Sequence, residues 1–354
     1  MSEKNEFPKY YVYPEEPCHK MLYPHIKQKL AYNDEADYRA WKQQIREKLI
    51  ELSGLDLVEQ NGNCDPALEI EYTEQKDGYT ETRFTFQSEV GYRVPCYLLL
   101  PDGEKEKYPV AIVLQGHSTG FHNSVGKVLY EHDLDYQPRG QFGIQAVKRG
   151  FATLCIEQRG MGERRPRIND NPAVYDNCTY TAMQAVQIGR TILAERVWDV
   201  HKAIDLLAAS FPKCDTEKVV VTGNSGGGTA TYYAACYDER IKICAPSCAF
   251  CPYEDSILAM YHCSCNYIPH AFKYFEMQDL ACLIAPRNLS IISGIKDNIF
   301  PIEGVRTGFE TVQKIYAKEN AADACTLTIT PREHWWCEDI VWGEILRVAK
   351  KLDW

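Results

Sequence analysis

Short apolar runs recur along this chain. VAIVL (110–114), FATLCIE (151–157), VVVT (219–222), IKICAP (241–246), LSIIS (289–293) and CTLTIT (325–330) are strand-length and rich in β-branched residues. Between them lie stretches that predict helices around 143–150, over 179–210, from the glycines at 226–228 to Asp238, over 304–320 and over 339–352. Apolar strands joined by helices predict a parallel sheet covered on both faces, with right-handed crossovers.

The first third of the chain has a different rhythm. Residues 1–33 are rich in Tyr, Pro and charge and predict irregular structure. Asn33-Asp34-Glu35 is a helix-start signal, and Tyr38, Trp41, Ile45, Leu49 and Leu52 then recur at helical spacing up to Gly54. That aromatic stripe suits packing against the core. EIEYTEQ and YTETRFTFQ alternate around Lys76-Asp77-Gly78, a hairpin signal, and GYRVPCYLLLP (91–101) predicts another strand. The expected organisation is an extension over 1–88 packed on an α/β domain over 89–354. Residues 247–286 break the alternation and are expected to be an insertion, where a cap over a site would sit.

Composition narrows the classes. The chain has 354 residues, 45% hydrophobic and 25% charged, which is globular material. A net charge of −10 argues against nucleic acid or an anionic membrane as partner. No apolar run approaches the length needed to span a bilayer, and the first twenty residues carry no secretory apolar stretch. Fifteen scattered cysteines with no such signal predict reduced thiols and a cytoplasmic protein. Cys248-x-x-Cys251 and Cys263-x-Cys265 are a candidate zinc knuckle, although C-x-C is a poor second half; buried free thiols are the simpler expectation.

The chemistry centres on KVVVTGNSGGGTA (218–230). It places G-x-S-x-G between a buried strand and a helix. A strand that reverses into a helix there leaves Ser225 at a strained tip, flanked by Gly223 and Gly227 because larger residues would clash. A serine needs a base, and the base needs a carboxylate to orient it. Asp297 follows LSIIS and His334 follows CTLTIT, so both fall at strand ends where such groups converge. Asp255 and Glu303 are rival carboxylates; His334 is the only histidine after residue 270. An oxyanion would rest on the Gly226 amide and on the His117 amide of the loop Gln115-Gly116-His117-Ser118-Thr119-Gly120, with Ser118 as the rival donor. Gln115, Ser118, Trp335 and Trp336 are candidate substrate contacts, the two tryptophans equally suited to core packing. The His117 side chain is more simply a loop histidine satisfied by neighbours, and Arg159 an ion-pair anchor for the loop after FATLCIE. An elbow carboxylate, a lysine after the glycines or a clustered His/Asp set would indicate other hydrolases, a phosphate loop or a metal centre; the sequence has none of these.

Taken together, QGHSTG, RGMGE, GNSGGG, the GIKDNIFP segment and EHWW resemble the α/β-hydrolase superfamily, and within it the acetyl xylan esterase-like and dienelactone hydrolase-like proteins. The resemblance covers roughly residues 90–354. It implies an α/β-hydrolase fold and a serine esterase mechanism: Ser225 as nucleophile, Asp297 as acid, His334 as base, Gly226 and His117 as oxyanion donors, and no cofactor or metal. The implied substrate is a short-chain ester on a small molecule or oligosaccharide, with a homo-oligomer plausible. Three positions depart from the family pattern: Gln115 where many members have His, Gly226 where carbohydrate-deacetylating relatives often have Gln, and Glu333 where many have Gly. The alternatives are a prolyl oligopeptidase-like peptidase and a non-catalytic binding protein holding zinc through Cys248, Cys251, Cys263 and Cys265.

Overall fold

Nine strands form one sheet in a computed structural model that describes residues 19–166 and 177–354. They are β1 (Glu69–Gln75), β2 (Tyr79–Glu89), β3 (Tyr92–Pro101), β4 (Tyr108–Leu114), β5 (Ala152–Ile156), β6 (Cys214–Asn224), β7 (Ile241–Ser247), β8 (Asn288–Gly294) and β9 (Cys325–Thr330). Their order across the sheet is β1-β2-β3-β5-β4-β6-β7-β8-β9. From β5 to β9 all neighbours are parallel, while β1, β2 and β3 continue the same sheet antiparallel. The 88/89 boundary therefore falls inside the β2–β3 hairpin, and the N-terminal extension shares the sheet of the rest of the chain.

Alternation along the central strands shows why the sheet is covered twice. Val110, Ile112, Leu114, Val219 and Val221 enter one apolar cluster, and Ala111, Val113 and Val220 enter the other. The first cluster is closed by α1 (Tyr38–Ser53), α5 (Ile192–Ser210), α6 (Gly226–Tyr237) and α7 (Ile302–Lys318). The second is closed by α3 (Phe142–Val147) and α8 (Glu338–Lys351). Among the described residues no helix is long and apolar enough to cross a membrane.

The helix start expected at Asn33-Asp34-Glu35 lies a few residues later. Asp37 caps α1 by accepting the Arg39 and Ala40 amides at 3.0 and 3.2 Å. Trp41, Ile45 and Leu49 are buried, as the stripe predicts, and Gly54 ends the helix at φ 69°. A short helix, α2 (Leu55–Gly62), follows directly. The single helix expected over 179–210 is two, α4 (Asn177–Gln187) and α5. Gly189 at φ 78° turns the chain, and Thr191 then caps α5 by accepting the Ala194 amide at 3.2 Å.

Residues 247–286 are not a cap. Apart from the end of β7 they form three 3-10 turns, Ser264–Asn266, Ala271–Lys273 and Met277–Leu283. Phe250, Phe275 and Leu280 from this segment are fully buried in the main core. Phe250 and Phe275 are packing residues, whereas Tyr261 is exposed.

Candidate active site

β6 ends at Asn224, α6 begins at Gly226, and Ser225 between them has φ 56° and ψ −124°. A non-glycine residue is rarely held there, and only over-determined surroundings keep it so. The Ser225 amide donates to the Ser247 carbonyl at the end of β7 (2.9 Å), and the Thr229 amide donates to the Ser225 carbonyl (2.8 Å). The flanking glycines are forced by contact. A Cβ on Gly223 would lie 2.3 Å from the Leu114 carbonyl oxygen, and one on Gly227 only 2.0 Å from the same atom. The tight reversal anticipated from G-x-S-x-G is thus a strand end, β4, pressed into the turn.

His334 lies in the loop between β9 and α8. Its Nδ1 donates to Asp297 Oδ2 at 2.8 Å. Asp297 follows β8, and its carboxylate is fully buried. The other oxygen accepts the Ile299 and Phe300 amides at 2.9 and 3.1 Å. Burial pushes this carboxyl up, but the hydrogen bond and charge of His334, with the two amides, outweigh it and hold Asp297 below its ordinary value. Phe300 stacks on the imidazole at 5.8 Å and 15°. With Nδ1 committed to the carboxylate, Nε2 is the nitrogen left for chemistry. The rivals are elsewhere: Asp255 is exposed, and Glu303 is an exposed partner of Arg306 at 3.0 Å. Glu333 is exposed.

Ser225 and His334 line one cleft of about 190 Å³. Gln115, Gly116, His117 and Ser118 form its opposite border. A Cβ on Gly116 would meet the Asn224 carbonyl oxygen at 2.8 Å and Ser225 Cβ at 3.1 Å, so this loop runs against the elbow. Among the described residues neither the His117 amide nor the Gly226 amide donates to a protein acceptor. Gly226 opens a twelve-residue helix, where amides lack intrahelical partners and favour negative charge.

The loop is braced from behind. Gln115 Nε2 donates to Glu157 Oε1 at 2.8 Å, and the Gln115 carbonyl accepts Gln158 Nε2 at 2.6 Å. The Gln115 amide nitrogen is therefore committed to the protein, while its Oε1 is buried without a partner among the described residues. Burial raises the Glu157 carboxyl to about 7 against the Glu163 and Phe121 amides. Buried Asp133 holds the other end, accepting from His122 (2.9 Å), from the Leu129 and Tyr130 amides (both 2.8 Å) and from the Thr119 hydroxyl. Ser118 Oγ donates to the Gly120 carbonyl at 3.4 Å.

The two tryptophans separate. Trp336 is 1% exposed, stacks 4.2 Å from Phe142 and donates to Gln145 Oε1 at 2.9 Å; it is a core residue, not a substrate contact. Trp335 is 39% exposed and carries the Arg139 guanidinium 3.7 Å over its ring. Arg159 is buried among Glu89 (2.6 Å), Asp199 (2.9 Å) and Glu195 (3.4 Å), the anchoring role expected of it. Asn123, Tyr136, Arg139, Gly140 and Phe142 complete the cleft, and the sequence reading missed them all. The signal for the first four was the long stretch between β4 and α3, which lacks apolar periodicity and folds only into the 3-10 turns Phe121–Val125 and Glu131–Tyr136, the kind of loop that carries binding residues.

The cysteines do not form the candidate knuckle. Cys248 Sγ donates to the Trp335 carbonyl at 3.6 Å, and Cys251 Sγ to the Pro301 carbonyl at 3.8 Å. Cys248 sits at the end of β7 at φ 50°, which turns the chain before Cys251 and sends the two sulfurs to different neighbours. Cys263 and Cys265 lie instead beside Cys178 and His117.

Comparison with known proteins agrees with this architecture. A protein named as a hydrolase, YtaP of Bacillus subtilis (strain 168), is 26% identical over 234 residues, 65% of this chain and 74% of that protein. The structure of a protein named as an acetyl xylan esterase from Bacteroides fragilis NCTC 9343 superposes with a TM-score of 0.78 at 15% identity, covering 98% of this chain and 97% of the other. A glucuronoyl esterase from Solibacter usitatus gives 0.62 at 14% identity, over 91% and 96% of the two chains. At these identities the solved structures speak for the fold. The sequence profile of the Abhydrolase family matches residues 9–320, and with the sheet order and the strand–Ser225–helix turn this makes the chain a member of that family, a hydrolase of the α/β-hydrolase fold.

Proposed function

We propose that the protein is a serine carboxylesterase acting on short-chain esters, acetylated carbohydrates among them, through a Ser225-His334-Asp297 triad. The observation that carries this is the Asp297–His334 hydrogen bond of 2.8 Å, which leaves Nε2 for the cleft that the strained Ser225 also lines. His334 Nε2 takes the Ser225 Oγ proton as Oγ attacks the ester carbonyl. The oxyanion is stabilised by the Gly226 and His117 amides. The alcohol departs with the proton from Nε2, leaving an acyl-serine. Water attacks it, gives its proton to Nε2, and the carboxylic acid leaves as Oγ is reprotonated. Asp297 fixes the imidazole tautomer and stabilises its charged form.

The acetyl xylan and glucuronoyl esterases among the structural neighbours support a carbohydrate ester as substrate. The exposed face of Trp335 suits a sugar ring. All fourteen described cysteines are free, on which we read the enzyme as cytoplasmic. The test is hydrolysis of p-nitrophenyl acetate and of acetylated xylo-oligosaccharides by wild type and Ser225→Ala. The variant should lose about 10⁶ in turnover, and a fluorophosphonate should label Ser225 in wild type. Wild-type activity in Ser225→Ala, or labelling at another residue, would overturn the reading.

A further inference from the structure

On the far side of the His117 ring from the elbow, three cysteines from two distant segments converge. Cys178 lies in the first turn of α4, and Cys263 and Cys265 flank the start of the Ser264–Asn266 turn. One sulfur from each and one ring nitrogen of His117 all lie within 4.8 Å of one another. His117 Nε2 is 3.3 Å from Cys265 Sγ. Cys178 and Cys265 are at most 1% exposed. Ser264 Oγ donates to Thr179 Oγ1 at 3.4 Å, which ties the two segments together beside the sulfurs.

A second, independent observation comes from Arg196. Its guanidinium is buried at 2% exposure and donates to the Arg159 carbonyl (2.7 and 3.0 Å) and to Cys178 Sγ at 3.1 Å. Among the described residues no carboxylate pairs with it. A buried cation needs a compensating anion, and here the groups facing it are sulfurs.

We propose that Cys178, Cys263, Cys265 and His117 Nε2 bind one structural zinc ion in a tetrahedral three-sulfur, one-nitrogen site. The donor set is the soft, four-ligand type that closed zinc sites use. Zinc–sulfur bonds of about 2.3 Å and zinc–nitrogen bonds of about 2.0 Å put tetrahedral ligands roughly 3.5–3.8 Å apart, so the side chains need only small adjustments from the observed cluster. Each thiol gives its proton to solvent on binding. Three thiolates and Zn²⁺ leave one negative charge, which the Arg196 guanidinium balances; His117 binds as neutral imidazole. All four positions are filled by protein, so the ion is a clamp with no open place for a water or a substrate. It fixes the His117 ring, and through it the loop whose amide borders Ser225.

The test is zinc content by plasma mass spectrometry after purification under reducing conditions, loading with zinc alone and dialysis against a weak chelator. We expect about one zinc per chain, released by an organomercurial that titrates the thiols. Cys178→Ser and Cys265→Ser should each retain at least tenfold less zinc, while Cys251→Ser, outside the cluster, should retain it fully. If the ligand variants do not fold, cobalt(II) binding to wild type decides. Thiolate charge-transfer absorption with intense tetrahedral bands supports the site, and a weak octahedral spectrum overturns it. Absence of retained zinc in wild type, undiminished zinc in the Cys178→Ser/Cys265→Ser double variant, or a disulfide among the three cysteines in a non-reducing peptide map would each overturn it. None of these readouts depends on esterase activity.

Discussion

Two histidines border the cleft, and their neighbours give them opposite characters. His334 donates to a buried carboxylate at 2.8 Å, stacks on Phe300 and lines the cleft with Ser225. His117 turns Nε2 away from the cleft to Cys265 at 3.3 Å, within a group of sulfurs. A carboxylate orients an imidazole and fixes its tautomer, which is what a shuttle of protons needs. Thiolates around a buried imidazole favour a soft cation in the same place. On the two proposals above, the first ring works by changing its charge and the second by staying still. The contrast also explains a departure from the family pattern. A Cβ on Gly226 would lie 2.9 Å from His117 Cε1 and 3.0 Å from Nδ1. The space that a glutamine side chain would need at that position is filled by the sulfur-bound histidine.

The sharpest break is at Asp297. Asp297→Asn keeps the shape but takes away the acceptor that selects the tautomer, and steady-state ester hydrolysis should fall by about 10⁴ in kcat with zinc content unchanged. Trp336→Ala probes the wall behind the same loop. Removing a fully buried indole should cost about 3–5 kcal/mol in chemical denaturation, while KM of the remaining folded enzyme changes little because Trp336 does not reach the cleft. Gly226→Gln attacks the other side. The new side chain displaces the His117 ring, so turnover should drop by roughly 10²–10³, the effect of one lost oxyanion donor, and zinc retention should fall with it. A variant that lost activity but kept full zinc would separate the two regions.

Acid gives the smallest and most graded effect. Burial pushes the Asp133 carboxyl up, but bonds from Thr119, the Tyr130 and Leu129 amides and His122 outweigh it and bring it down to about 2, from an ordinary 3.8. A carboxyl lowered by folding stabilises the fold fully above its ordinary value and loses that contribution as pH falls towards its folded one. Wild type should therefore melt above Asp133→Asn near neutrality, with the gap closing between about pH 4 and pH 2. A gap independent of pH in a melting series would show that the carboxylate charge is not what braces the loop.

How far the sequence revealed these regions depended on how local their signals are. Ser225, Asp297 and His334 were legible because each follows its own strand, and parallel strands deliver their ends to one edge. Gly223 and Gly227 were legible because the turn admits little else. The sulfur group was not. Cys178 belongs to a different crossover from Cys263 and Cys265, and only the packing of α4 on the Ser264–Asn266 turn unites them. Close spacing pointed instead to Cys248 and Cys251, which the turn at φ 50° drives apart. Trp335 and Trp336 show the same limit. They are adjacent in sequence and differ from 39% to 1% in exposure, because one faces solvent beside His334 and the other fills the layer under α3 and α8. Tyr136 and Arg139 come from a loop whose course no periodicity encodes.

The backbone at Ser225 has one more consequence. A residue with a side chain at φ 56° and ψ −124° sits in a region that glycine occupies without strain, at a cost of order 1–3 kcal/mol. The fold is therefore less stable than its own sequence would permit at the residue proposed as the nucleophile. Selection for thermal resistance alone would drift towards glycine at residue 225 and produce a hardier, silent protein.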